Sequence, residues 1–312
     1  MPIVEIAGLI AGLIIIAKAS NKSVEYSARI ASSLGIPTII IGLFLISLGT
    51  DIPEIANSLI SSYSGHMDIN VGNVLGSCLV QITLAFGLVA ILGTNVFAKR
   101  KNILVLGGCA VAAVVASIIA IYDGSLTRID GLFLIIAYVG LLLASKKYSV
   151  REIGGSQVRD IYGTRKDLIL TGIKLTISLL AVGVGSVVLV DSVISISNQF
   201  GVPEYFISFF AVGIGTSLPE LSVALAAVKK GRYGIVVGDI FGSNITDATF
   251  ALGIGPLFFP DGVSAGLIMP FAIFVLVASA LAVGLFAWRE KLDKKAALIL
   301  IAIYLLVYLF VF

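Results

Sequence analysis

The sequence predicts an all-α polytopic membrane protein of ten transmembrane helices, arranged as two inverted five-helix repeats with helices 2 and 7 broken. Three observations predict it. Of 312 residues, 58% are hydrophobic and only 12% charged, more apolar side chain than the interior of a soluble domain of that size takes up. Short motifs recur at a constant offset of 166 residues without a gap. Gly49-Thr50-Asp51-Ile52-Pro53-Glu54 answers Gly215-Thr216-Ser217-Leu218-Pro219-Glu220, Gly35 and Pro37 answer Gly201 and Pro203, Gly72 answers Gly238, and Gly76-Ser77 answers Gly242-Ser243. Finally, all but Arg128 and Lys174 of the 21 Lys and Arg residues fall in alternate connections.

Apolar stretches of about 20 residues, enough to span roughly 30 Å of hydrocarbon, place helices over 3–18, 37–62, 69–92, 102–121, 128–145, 168–190, 202–228, 234–258, 265–288 and 295–312. The first is short and can extend through Ala19–Ser33 as a long, tilted helix. It lacks the basic leader of a cleavable signal. The polar segment 146–167, with Gly154-Gly155-Ser156 and charges of both signs, reads as a linker. It separates a first repeat, 1–145, from a second, 168–312. Five helices per repeat is odd, so the second repeat enters the membrane from the opposite side. The basic connections follow helices 1, 3, 5, 7 and 9. The positive-inside rule makes them cytoplasmic, with the linker, and puts both termini outside a cell membrane. The net charge of +3 therefore reflects topology and points to no nucleic acid.

Cys78 and Cys109 lie in apolar spans as small hydrophobes, and His66 belongs to a hydrated external turn. Pro53 and Pro219 lack an N–H and clash with the preceding turn, so each long helix should kink or break just before them. Gly49 and Gly215 relax the backbone there. Carbonyls freed around Ser47, Thr50, Gly213 and Thr216 need partners in protein, in water or on a cation. Proline and glycine kink membrane helices for purely structural reasons too. A kink, however, calls for no carboxylate one residue after the proline in both halves, and a carboxylate at membrane depth marks a functional site.

The oxygen-bearing residues around the breaks are Thr50, Asp51, Glu54, Ser77 and Gln81 in one half, with Thr216, Ser217, Glu220, Ser243 and Asp247 in the other. Ser77 and Gln81 are four apart, as are Ser243 and Asp247, so each pair shares a helix face. Carboxylates, hydroxyls, an amide and open carbonyls, without sulfur or imidazole, suit a hard cation. Calcium takes 6–8 oxygens in tolerant geometry, whereas magnesium dehydrates reluctantly, and soft metals are disfavoured. Inverted repeats with discontinuous helices are a recurring architecture of secondary transporters.

These motifs, with Gly72-Asn73-Val74-Leu75-Gly76-Ser77 and Gly238-Asp239-Ile240-Phe241-Gly242-Ser243-Asn244, resemble the two α-repeats of the calcium/cation antiporter superfamily, its prokaryotic sodium/calcium exchanger-like branch above all. The resemblance covers nearly the whole chain. It implies exchange of Na⁺ for Ca²⁺ by alternating access, helices 1 and 6 sliding over the other eight, with no resident cofactor, catalytic residue or required protein partner. It implies that Glu54 and Glu220, aided by Thr50 and Thr216, hold calcium. Ser47, Asp51 and Ser77 would bind sodium toward the cytoplasm and Gly213, Ser217 and Ser243 toward the outside, with Gln81 and Asp247 between them.

Three positions depart from the family pattern. Position 51 is Asp where a small hydroxyl residue is usual, position 81 is Gln where Asn is typical, and position 239 is Asp where Asn is frequent. Crowded carboxylates resist simultaneous ionisation, which opens proton/calcium exchange, or exchange with another cation, as the alternative on the same fold. Asp239 is expected to cap a helix break or bond between helices rather than coordinate. A cation channel is a distant third reading, since acidic rings also line pores. Intramembrane aspartyl proteolysis is disfavoured because Val236-Val237-Gly238-Asp239 lacks the Gly-x-Gly-Asp pattern.

Overall fold

The computed structural model describes residues 2–33, 50–149 and 165–310. Within them α1 (Pro2–Ser33) is one continuous helix, the long form of the first span. After it come α2 (Ile52–Tyr63), α3 (Met67–Leu79), α4 (Phe86–Leu92), α5 (Arg100–Ile121) and α6 (Arg128–Ser149). The second half runs through α7 (Arg165–Phe200), α8 (Glu204–Ile207), α9 (Gly213–Thr216), α10 (Leu218–Lys229), α11 (Tyr233–Ile245), α12 (Leu252–Phe258), α13 (Ala265–Arg289) and α14 (Lys294–Leu306), which ends in a 3₁₀ turn, Val307–Phe310. Seven helices among the described residues are long and apolar enough to cross a membrane. The most enclosed of these is Met67–Leu92, whereas Val4–Ser23 and Arg128–Ser145 are mostly exposed along apolar surface. A span buried on nearly every side, ringed by helices with apolar surface toward the outside, is the arrangement lipid imposes.

Several boundaries differ from expectation. The sixth span extends to Phe200, nearly three turns past the predicted end at 190 at about 3.6 residues per turn, because its polar tail continues helical beside α1. The all-α expectation also missed four two-residue strands. Val96–Phe97 (β1) pairs antiparallel with Lys291–Leu292 (β4), and Ser125–Leu126 (β2) with Asp261–Gly262 (β3). Each ribbon takes one strand from each half, so backbone hydrogen bonds clasp the halves at helix ends where periodicity carries no signal.

The 166-residue offset holds in the backbone. Gly65 and Gly231 both adopt positive φ in equivalent turns, as do Gly124 and Glu290. Glu290, at φ 52°, occupies a left-handed conformation that suits the glycine of the first half better than a side chain. α3 passes through a π-helical segment, Val80–Ala85, before α4, and α11 through its counterpart Thr246–Ala251 before α12. A π turn leaves an i−4 carbonyl without its usual amide. The Thr83 hydroxyl donates to the Leu79 carbonyl and the Thr249 hydroxyl to that of Ile245, filling the gap in both halves.

Two apolar clusters form. The larger joins α3 to α6 with α10 to α14 around residues such as Leu75, Phe86, Phe241 and Phe286. The smaller is the seam between α1 and α7, with Ile16, Val182, Leu189, Val190 and Val193, closed by Ile69 and Val212. Gly12 brings the two long helices together, since a Cβ there would stand 3.0 Å from the Gly185 carbonyl oxygen.

His66 is half-buried, not freely hydrated as expected of a loop residue: its Nδ1 lies 2.9 Å from Glu204 Oε2, joining the α2–α3 turn to the start of the seventh span. Cys78 and Cys109 are free thiols.

Candidate functional site

Pro53 and Pro219 shape the two halves of the site. Each sits at the second position of a helix, α2 or α10, where its missing N–H is least costly. The residue ahead of that helix, Asp51 in one half and Ser217 in the other, turns out of helical geometry at φ −80°, ψ 2° and φ −80°, ψ 1°. The break is a one-residue kink rather than an open gap. Amides on its far side still bond back, Ile55 N to Asp51 O at 3.1 Å and Leu221 N to Ser217 O at 3.2 Å. Glu54 and Glu220 lie in the first turn after each kink, buried completely, where the helix N-terminus favours negative charge.

The kinked segment of the second half packs across α3. Gly76 is the reason it can: a Cβ there would stand 2.1 Å from the Phe209 carbonyl oxygen, and one on Gly213 would stand 2.8 Å from Ser77 N. This crossing brings Ser77 to the other repeat's break. Its hydroxyl reaches Glu54 Oε1 at 3.3 Å, Thr216 Oγ1 at 3.1 Å and the Gly213 carbonyl at 3.4 Å. Thr216 Oγ1 donates to Asn73 Oδ1 at 3.0 Å, and Ser217 Oγ to the Gly213 carbonyl at 2.8 Å. The Gly213 carbonyl is therefore occupied by local donors, where sequence reasoning left it open.

At the middle, Gln81 Nε2 donates to Asp247 Oδ2 at 2.9 Å, and Asn244 Nδ2 donates to Gln81 Oε1 at 2.8 Å. Both Gln81 and Asp247 stand on the π-helical segments, and such segments recur at functional sites. On the remaining side Asp51 lies against Ser243, Thr246 and Glu220 without completing a hydrogen bond. Glu220 is within electrostatic reach of Glu54, Asp51, Asp247 and Asp239. Thr50 is buried at the kink, and Ser47 lies outside the described residues.

The structure thus gathers eleven of the twelve sequence-predicted residues, Thr50, Asp51, Glu54, Ser77, Gln81, Gly213, Thr216, Ser217, Glu220, Ser243 and Asp247, into one buried region. It groups them differently. Ser77 joins Gly213 and Thr216 because α3 crosses the kinked segment of the second repeat, and Ser243 faces Asp51. Asn73 and Asn244 were missed as polar partners. Their signal was present, since both stand within the repeated Gly-rich motifs. Asp239 was expected to cap or bond between helices, yet neither of its oxygens has a partner among the described residues. No group of three or more His, Cys, Asp and Glu that could hold a metal ion forms among the described residues; the oxygens that face the centre are spread over carboxylates, hydroxyls and amides.

Comparison with known proteins decides the family. The family model for sodium/calcium exchanger protein matches residues 4–147 and 172–312, both halves of the chain. The chain belongs to the sodium/calcium exchanger family. Members and relatives align with it almost end to end. An uncharacterized membrane protein of Methanocaldococcus jannaschii is 33% identical over 98% of this chain and 97% of its own. The sodium/calcium exchanger MaX1 of Methanosarcina acetivorans is 29% identical over 97% of each. A solved structure of the sodium-calcium exchanger NCX_Mj, soaked with Na⁺ and Sr²⁺, is similar at a TM-score of 0.63 and 30% identity, covering 99% of this chain and 98% of that one. As in the exchanger family at large, the chain is an integral membrane protein of an antiporter class.

Proposed function

We propose that this exchanger-family protein is a secondary antiporter of the cell membrane that exchanges Ca²⁺ for Na⁺ by alternating access. The observation that carries the reading is the complete burial of Glu54 and Glu220, one residue after the proline of each repeat, in the same region as the Gln81–Asp247 contact. Two carboxylates at membrane depth without a salt bridge among the described residues are costly unless a cation neutralises them. Calcium is the transported substrate that fits, with Thr50 and Thr216 beside the glutamates. The regrouped hydroxyls suggest one sodium seat at Ser77, Gly213, Thr216 and Ser217, and another at Asp51 and Ser243, to which the family resemblance adds Ser47.

The topology we propose is ten spans in two inverted repeats, 1–145 and 168–312, with the linker 146–167 cytoplasmic and both termini outside. The recurrence of kinks, π segments and positive-φ turns at the 166-residue offset supports it. The separate seam of α1 with α7 supports movement of that pair over the remaining helices. Kinked helices that meet from opposite repeats are a device for opening a site to one side at a time.

The test is calcium uptake into proteoliposomes loaded with sodium, against potassium-loaded vesicles, at clamped pH and controlled potential. Sodium-dependent uptake is expected. Uptake indifferent to sodium but driven by an outward proton gradient would replace the reading with proton/calcium exchange, which the unpartnered Asp51 carboxylate favours as the second reading. Passive flux with no counter-ion would replace it with a channel.

A further inference from the structure

We propose that the connections at the cytoplasmic ends of the two repeats form one basic surface that seats the phosphate headgroups of anionic phospholipids. Its place on the cytoplasmic side rests on the topology proposed above; the gathering of its charges does not. Three connections distant in sequence meet there. Val96 and Phe97 pair with Leu292 and Lys291, and Ala98 N donates to the Glu290 carbonyl at 3.2 Å. The Phe97 ring stands edge-on to that of Tyr233, with centroids 5.6 Å apart, which draws in the neighbouring Arg232. Gly93 abuts the end of α10, where an added Cβ would stand 2.4 Å from Val228 Cγ1, next to Lys229 and Lys230.

Arg100, Lys229, Lys230, Arg232, Lys294 and Lys295 are exposed on these segments, and no salt bridge among the described residues reaches them. The acids that stand among them are Glu290 and Asp293. Asp293 is already engaged by Arg289, by Lys291 and by the Ala296 amide. Arg100 and Lys294 open α5 and α14, and Arg232 stands at the N-cap of α11. A helix start favours an anion, so these cations stand against the dipole. The segments bring too little negative charge of their own, and a phosphate from outside the fold would supply it.

The external ribbon serves as the comparison. β2 and β3 repeat the clasp 166 residues away, Leu126 answering Leu292 and Ser125 answering Lys291. There Asp123 takes the place of Arg289, His66 that of Arg232 and Gly266 that of Arg100. The clasp thus needs no cations. Orientation in the membrane asks for positive charge on one side, but not for its concentration around one ribbon. Trp288, 78% exposed at the end of α13, and the exposed Phe97 flank the surface, as aromatic rings do at headgroup depth. Clustered Lys and Arg at that depth attract anionic lipid, whose phosphate is held there by its own chains, as free phosphate is not.

Native mass spectrometry of the purified full chain, titrated in detergent with phosphatidylglycerol or with phosphatidylcholine, tests the proposal. Phosphatidylglycerol should be retained in preference. Arg100→Gln with Arg232→Gln should weaken its retention by about tenfold or more, whereas Lys18→Gln with Lys22→Gln, which removes two cations of the same side on α1, should change it by less than about twofold. If the first pair fails to fold, Lys294→Gln with Lys295→Gln decides in its place. Equal loss in the surface pair and the α1 pair would overturn the seat in favour of diffuse attraction to the basic side. Equal retention of the two lipids would overturn it outright, and displacement of the lipid by equimolar inorganic phosphate would make a free anion the ligand instead. Sodium-driven calcium uptake in pure phosphatidylcholine vesicles reads the antiporter separately, so neither reading falls with the other.

Discussion

Gln81 donates to Asp247 across 2.9 Å, and the two residues occupy the same position in the two halves, 166 apart. A residue that meets its own repeat-mate lies on the pseudo-symmetry axis, so this contact locates the centre of the site. Removing a partner from a buried hydrogen bond to a carboxylate costs about 1.5–3 kcal/mol. Gln81→Leu should therefore lower thermal stability by an amount in that range and weaken calcium uptake. Gln81→Asn keeps the amide on a shorter stem and should retain uptake better than Leu; equal loss in the two variants would show that the hydrogen bond is not what matters.

Glu54→Gln and Glu220→Gln remove charge with almost no change of volume. Each should reduce calcium exchange at least a hundredfold while the purified protein still melts cooperatively. Near-normal exchange in either variant would refute the placement of calcium between the two glutamates.

Gly76 permits the crossing that carries Ser77 to the opposite repeat. Gly76→Ala forces a methyl into the Phe209 backbone and should destabilise by roughly 1–3 kcal/mol or more, the range of overpacked cores. Gly108, with nothing within 4 Å of its added Cβ, is the internal control. Gly108→Ala should instead stabilise the middle of α5 by about 0.5–1 kcal/mol. Thermal melts of the two variants side by side check the contrast.

Gly215, ahead of the second kink, faces Leu13 of α1: an added Cβ would stand 2.4 Å from Leu13 Cδ2. If α1 and α7 slide over the kink, Gly215→Ala should slow exchange several-fold, and Leu13→Ala in the same chain should restore it. Failure of the second change to rescue the first would argue against α1 as the moving element at that contact.

Asp293 caps α14, accepting from Ala296 N at 3.0 Å and from Arg289 Nη2 at 2.5 Å. The Ala296 amide foremost, then the Arg289 guanidinium, lower its pKa to about 2. A carboxylate depressed on folding stabilises above its unfolded pKa, near 3.9, and that contribution is lost as pH falls through about 2. Asp293→Asn should therefore lower the melting temperature at pH 7 and converge with the unaltered protein below pH 2.

Much of this was legible in the sequence because its signals are local. The apolar runs, the proline after each Gly-Thr pair and the carboxylate after each proline stand in the chain as written. The helix ends were less so. α7 continues to Phe200 because α1 lies alongside it, and no periodicity within 190–200 records that neighbour. The π segments escaped notice for a related reason: Thr83 and Thr249 read as ordinary helix residues until their hydroxyls are seen on the Leu79 and Ile245 carbonyls. The four strands, two residues each, lie below any pattern length.

The sequence by itself determined that this protein is an apolar, internally duplicated membrane protein of the exchanger family, and which oxygens it has to offer a cation. Those follow from composition, spacing and motif, all properties of residues near one another in the chain. Only the tertiary structure decided how the oxygens combine: Ser77 with the Gly213–Thr216 break, Asp51 with Ser243, and Gln81 with Asp247. The physical reason is the close crossing at Gly76 and Gly213. It sends α3 to the second repeat's kink, and a contact between residues more than a hundred positions apart is written in backbone clearance rather than in sequence.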